Sequence, residues 1–172
     1  MIKSIDTFYN GNYFRSRMEA RWAVFFDDCG ILYDYEPEGF DFGNGLKYLP
    51  DFYLPQFSCY AEVKPQEYIY TNEAAIRKHP DYKKWEMLSN TKQLILLFGN
   101  PHLRPIYKMP FSDENEGWSN DVIFRKETDY RNGKIDVYWR FWIAPTGTED
   151  YQTCFYKPLA DALFKRFEHY NK

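Results

Sequence analysis

The strongest constraint on this chain is a helical stripe near its start. Met18, Trp22, Phe25, Phe26 and Cys29 fall at i, i+4, i+7, i+8 and i+11. That is one face of an amphipathic α-helix over 14–29, stopped by Gly30. Such a stripe is buried only against a second layer, and the residues that follow supply strands. Ile31–Glu36 reads as a short strand cut by Pro37, and Phe40 and Phe42 lead into Gly43-Asn44-Gly45, a hairpin signal. The returning strand, Leu46–Leu54, contains Pro50, which cannot donate to a ladder and so marks an edge, a strand start or a bulge. Ser58–Lys64 is a third strand, with Tyr60, Glu62 and Lys64 on one face and Cys59, Ala61 and Val63 on the other. Helical composition over Glu73–Leu88, broken at His79-Pro80, precedes an apolar strand, Gln93–Phe98. The order α-β-β-β-α-β implies an α/β (α+β) fold with a mixed central β-sheet flanked by helices.

Beyond Pro101 the pattern changes. Ile106–Pro110, Val122–Glu127, Ile135–Ile143 and Thr153–Tyr156 read as strands, and Pro158–His169 as a closing helix with Pro158 in its first turn. We therefore expect a core over 1–100 and a β-rich accessory lobe with a C-terminal helix over 101–172, packed on the core.

Several classes fall away on composition. The longest relevant apolar run, Leu94–Phe98, is strand-sized, far short of the ~18 residues of a membrane span. The first residues lack the apolar core of a signal peptide. Cys29, Cys59 and Cys154 form no C-x-x-C pair and read as reduced, buried residues of a cytoplasmic protein. His79, His102 and His169 show no metal-ligand spacing, and no P-loop, G-x-S-x-G or G-x-G-x-x-G is present. With 5 Trp, 16 Tyr and 15 Phe, many half-buried rings are expected. The net charge of −3 argues against a uniformly basic nucleic-acid surface. Its whole acidic excess lies in residues 1–100, which hold 11 basic and 14 acidic side chains. Either that half has a solvated acidic face, or a few carboxylates converge where a divalent cation would neutralise them.

Position favours convergence. Glu62 and Lys64 emerge on the same strand face, about 6.5–7 Å apart along the backbone. A carboxylate and an ammonium on an otherwise buried strand are costly unless paired or put to use. Asp51 follows Pro50 on the neighbouring predicted strand, and Glu19 lies at the border of the helix's apolar face. Together they make an oxygen-ligand set for Mg²⁺ or Mn²⁺ with a lysine alongside. Taken singly, the residues have plainer readings: a surface ion pair worth about 0–1 kcal/mol for Glu62 and Lys64, a turn acid for Asp51, a helix-surface partner of Arg15 for Glu19.

Pro50-Asp51, ten residues, then Glu62-Val63-Lys64 resembles the PD-(D/E)xK nuclease motif, and Phe14-Arg15-Ser16-Arg17-x-Glu19-Ala20-Arg21-Trp22 resembles the first-helix glutamate segment of its restriction-like, junction-resolving and transposase-end-cleaving members. The resemblance covers roughly residues 14–100. It implies a restriction-endonuclease-like core and a Mg²⁺- or Mn²⁺-dependent nuclease, acting on DNA more than RNA and cutting internally. On that basis Glu19, Asp51, Glu62 and Lys64 would be catalytic. Asp51, Glu62 and the Val63 carbonyl would be metal ligands. Glu19 would bind the metal directly, bind a second metal or act through water. Lys64 would hold or help deprotonate the attacking water and stabilise charge on the phosphate. Arg15, Arg17 and Arg21 around Glu19, with Lys83 and Lys84 in the densest basic run, are candidate nucleic-acid contacts. Pairing with a second copy or a partner protein stays open. The rival expectations are a catalytically inactive protein of the same fold that binds nucleic acid or a partner, and an aromatic-rich interaction domain in which the four charges do not meet.

Overall fold

A computed structural model describes residues 5–65, 73–102, 106–109, 121–131, 134–143 and 156–167. It begins with a hairpin that the sequence reading lacked: β1 (Thr7–Tyr9) pairs antiparallel with β2 (Asn12–Phe14). Asn10 and Gly11 both turn at positive φ, 46° and 84°, as a two-residue hairpin turn requires. Phe14 therefore ends a strand instead of opening the helix. The first helix, α1, spans Arg17–Cys29, with Ser16 as its N-cap and Gly30 at φ 73° as its left-handed stop. Trp22, Phe25, Phe26 and Cys29 of the predicted stripe are buried, and Ala20, Ala23 and Val24 widen it; Met18 is half-buried at its margin.

Next come β3 (Asp34–Tyr35), β4 (Phe40–Asp41), β5 (Lys47–Tyr48), β6 (Phe52–Leu54) and, after a 3₁₀ turn at Pro55–Phe57, β7 (Cys59–Lys64). The expected strand Leu46–Leu54 is thus divided by Leu49-Pro50-Asp51, since proline interrupts the ladder. Its first part pairs with β4 in a separate two-stranded sheet, as the Gly43-Asn44-Gly45 turn foretold. The helical stretch splits, as His79-Pro80 requires, into α2 (Glu73–Arg77) and α3 (Tyr82–Ser89). Then follow β8 (Gln93–Phe98), β9 (Ile106–Lys108), β10 (Asp121–Arg131), β11 (Lys134–Ile143) and α4 (Tyr156–Phe164). Tyr156 opens α4 instead of closing a strand. The helix stops at Phe164, short of the expected end at His169, which lies outside the described residues, as do Thr153 and Cys154.

The fold is a mixed α/β one. Strands β11-β10-β9-β8-β7-β6-β3 form one sheet in that order. The β7–β8 pair is parallel and its neighbours are antiparallel. A parallel pair needs a long crossover, and α2 and α3 lie in that connection.

Strand periodicity divides the core. Cys59, Ala61 and Val63 of β7 and Ile95 and Leu97 of β8 pack with α1 around Trp22 and Phe26, joined by Ala162 of α4. Tyr60, Leu94, Leu96 and Phe98 face the other way, against Trp85 and Leu88 of α3 and Ile76 of α2. Helices therefore cover both faces of the sheet centre. Each fully buried Leu or Phe here contributes roughly 1.5–3 kcal/mol. Cys29 and Cys59 are buried. Tyr9, Tyr33, Tyr35 and Tyr53 are the half-buried rings that the aromatic content led one to expect. Among the described residues no helix is long and apolar enough to cross a membrane.

Candidate active site

The alternation of β7 that sends Ala61 and Val63 into the α1 side puts Glu62 and Lys64 on the α3 side. Glu62 is 4% exposed, and a carboxylate so deep needs donors. It has two: the Tyr48 hydroxyl donates to Oε2 at 2.9 Å, and Lys64 Nζ lies 2.7 Å from Oε1. The β4–β5 hairpin delivers Tyr48. The Lys64 ammonium is also 3.0 Å from Asp81, which precedes α3 and holds Lys84 at 2.8 Å. Glu62 and Lys64 are paired as a surface reading would have them, but at a buried position.

Asp51 is placed by the break that Pro50 introduces. Register pairs Phe52 with Ala61, where β6 begins; extended back along the chain, it would set Pro50 opposite Val63. There the Asp51 side chain takes over from the ladder, Oδ2 accepting the Val63 N–H at 2.7 Å. The Asp51 backbone carbonyl accepts from Glu36 N at 2.9 Å, continuing the β3–β6 pairing. Its remaining carboxylate oxygen, Oδ1, accepts from Arg15 Nη2 at 2.9 Å.

Glu19 is set by helix capping. Ser16-x-x-Glu19 has the spacing of a capping box: the Glu19 N–H donates to Ser16 Oγ at 3.1 Å, and the Ser16 hydroxyl donates back to Glu19 Oε1 at 2.7 Å. Oε2 accepts from the Arg15 backbone N–H at 3.1 Å and the Tyr35 hydroxyl at 2.6 Å. Glu19 and Arg15 do meet, but through the Arg15 main chain. The Ser-x-x-Glu spacing was legible in the sequence and marks this second role.

These groups load the site with like charge. Burial, then the facing carboxylates of Glu62 and Glu19, hold the Asp51 carboxyl well above its ordinary range, against the Val63 N–H and Arg15. Burial also raises Glu62, outweighing Lys64 and Tyr48. Lys64 goes up too, because its pairing with Glu62 and Asp81 overcomes burial. Burial alone would raise Asp81, yet Lys84 and Lys64 pull it down to about 2. Burial, then the Lys64 charge, lowers His79.

Glu19, Asp51, Glu62, Val63 and Lys64 line one open cavity of about 440 Å³. Arg15 and Lys84 line it as well, joined by four residues the sequence reading missed: Lys47, Tyr48, Leu49 and Asp81. No local pattern announces Tyr48 or Asp81, which reach Glu62 and Lys64 only through the fold. Arg17, Arg21 and Lys83 do not line the cavity. Arg21 Nη1 donates to Asn100 Oδ1 at 2.6 Å, and Lys83 pairs with Glu86 on α3.

Among the described residues no group of three or more His, Cys, Asp or Glu side chains is arranged to hold a metal ion. Each carboxylate is aimed at protein donors, and the Arg15 and Lys64 cations balance Asp51 and Glu62. In chemistry the donor set suits such an ion: the carboxylates of Glu19, Asp51, Glu62 and Asp81 line one cavity, and added positive charge would relieve the crowding of Glu62 and Glu19 on Asp51. Neither a protein-family model, nor a curated protein, nor a solved structure matches this chain.

Proposed function

We propose that this protein is a divalent-cation-dependent phosphodiester hydrolase with a restriction-endonuclease-like core of the PD-(D/E)xK type, cutting nucleic acid internally, DNA in preference to RNA. One observation carries the reading: Asp51 from the Pro50 break, Glu62 and Lys64 from β7 and Glu19 from α1 enter a single cavity. Asp51 and Glu62 would hold Mg²⁺ or Mn²⁺ with the Val63 carbonyl. Bound there, the cation would polarise a phosphoryl oxygen and favour a nucleophilic water.

The chain's own residues supply the rest. Lys64, kept charged by Glu62 and Asp81, offers an N–H donor to the attacking water or the phosphate as negative charge develops. Tyr48 fixes the Glu62 carboxylate from the side away from Lys64. Arg15, Lys84 and Lys47 rim the cavity, where they can meet neighbouring phosphates of a backbone. Glu19 adds charge from its place in the helix cap.

A second reading is the same fold used for binding alone. It draws on Glu19, whose two oxygens are both engaged by the helix cap and Tyr35. Cleavage of plasmid, junction, flap and single-stranded DNA with Mg²⁺ or Mn²⁺ separates the two. The hydrolase reading expects metal-dependent cutting, abolished in Asp51→Ala and reduced about 100-fold or more in Lys64→Ala. Folded protein that binds DNA but cuts none of the four would leave the binding reading.

A further inference from the structure

Arg15 holds a singular place in this cavity. Its backbone N–H is fixed to Glu19 Oε2 and the Tyr35 hydroxyl, so the start of its side chain is anchored. The side chain itself is 55% exposed and reaches in from the mouth to Asp51, which is 6% exposed. There it lies between two carboxylates. Nη2 donates to Asp51 Oδ1 at 2.9 Å, while Nε lies 2.5 Å from Glu36 Oε1. That second contact is out of line: Glu36 Oε1 is buried, and among the described residues no hydrogen bond reaches it. The fork is thus well seated on Asp51 and poorly seated on Glu36. Lys64, by contrast, is 21% exposed and clasped by both Glu62 and Asp81.

We propose that Arg15 is an exchangeable counter-cation: it neutralises Asp51, cedes Asp51 Oδ1 to a divalent cation, and then offers its guanidinium to a substrate phosphate while Glu36 tethers it. The inference rests on the hydrolase reading of the site. A doubly charged ion beside Asp51 removes the need for Arg15 there and repels it. The long flexible stem lets the guanidinium move while the anchored backbone stays in place. Turning from Asp51 also frees the fork to align with Glu36 Oε1. Its outer N–H pair then faces the mouth, in the planar geometry that suits phosphate. Occupation of the metal position and capture of the phosphate become coupled through one residue.

The test measures binding, not turnover. Mn²⁺ is titrated calorimetrically into the full chain and into Arg15→Ala and Arg15→Lys, and binding of a short labelled DNA duplex is measured with Ca²⁺ present. Arg15→Ala should bind Mn²⁺ about fivefold more tightly, because its competitor is gone, and DNA about tenfold more weakly, within the usual span of coupled sites. Arg15→Lys, which keeps the charge but not the fork, should leave Mn²⁺ affinity near wild type and still weaken DNA binding. This second variant decides the matter should Arg15→Ala melt early. Unchanged or weaker Mn²⁺ binding in Arg15→Ala, with wild type binding normally, overturns the exchange alone. So does DNA affinity unaltered in both variants. Absence of Mn²⁺ binding by all three proteins overturns the hydrolase reading with it.

Discussion

The Asp51 carboxylate accepts the backbone N–H of Val63 at 2.7 Å, so a side chain completes the sheet where Pro50 interrupts it. One residue therefore serves the ladder through Oδ2 and the cavity through Oδ1. Asp51 is buried and faces Glu62 and Glu19, which makes its charge costly to the fold.

Asp51→Asn should for that reason stabilise the protein at neutral pH. The amide keeps an oxygen for Val63 N–H, sheds the charge and loses an ion pair with a half-exposed arginine, which is worth little. A gain of about 1 kcal/mol, or about 2–4 °C in melting temperature, is expected. Stabilisation by Mn²⁺ should disappear in the same variant. Thermal melts with and without Mn²⁺ measure both; a fall in melting temperature would show that the Arg15 contact outweighs the burial of the charge.

Tyr48→Phe removes the hydroxyl that donates to Glu62 Oε2 and leaves a buried carboxylate oxygen short of a donor. A cost of about 1–3 kcal/mol is expected, read from urea unfolding at neutral pH. Tyr13→Phe, at a ring 60% exposed on the β1–β2 hairpin, is the control and should change little.

Ser16→Ala removes the N-cap of α1 and one donor to Glu19 Oε1. Loss of the cap should cost about 1 kcal/mol. Released from the cap, Glu19 should be freer to turn into the cavity. Wild-type stability in this variant would show that the Arg15 and Tyr35 bonds hold the helix start unaided.

The pH dependence should carry the mark of Asp81. Its folded value, about 2, lies below the ordinary 3.8, so the stability it contributes is complete above the ordinary value and is lost as pH falls through about 2. Asp81→Asn should be less stable than wild type at pH 6, and the gap should close as pH falls from about 5 to about 2. A gap that stays constant over that range would mean that Asp81 acts through packing, not charge.

The sequence by itself determined the elements whose signals are local. The periods of α1, β7 and β8, the stops at Gly30 and Pro80 and the Gly43-Asn44-Gly45 turn were all legible, because helix and strand repeats are set by neighbouring residues. The capping-box spacing and the Asn10-Gly11 turn carried equally local signals that the reading passed over. Tertiary structure decided what lies between elements. Tyr48 becomes the donor to Glu62 only when the β4–β5 hairpin folds beside β7. Asp81 reaches Lys64 only after the α2–α3 crossover returns the chain to β8, and Arg15 finds Asp51 across 36 positions of sequence. Hydrogen bonds and charge pairs act over a few ångströms of space, and one-dimensional spacing does not record that proximity.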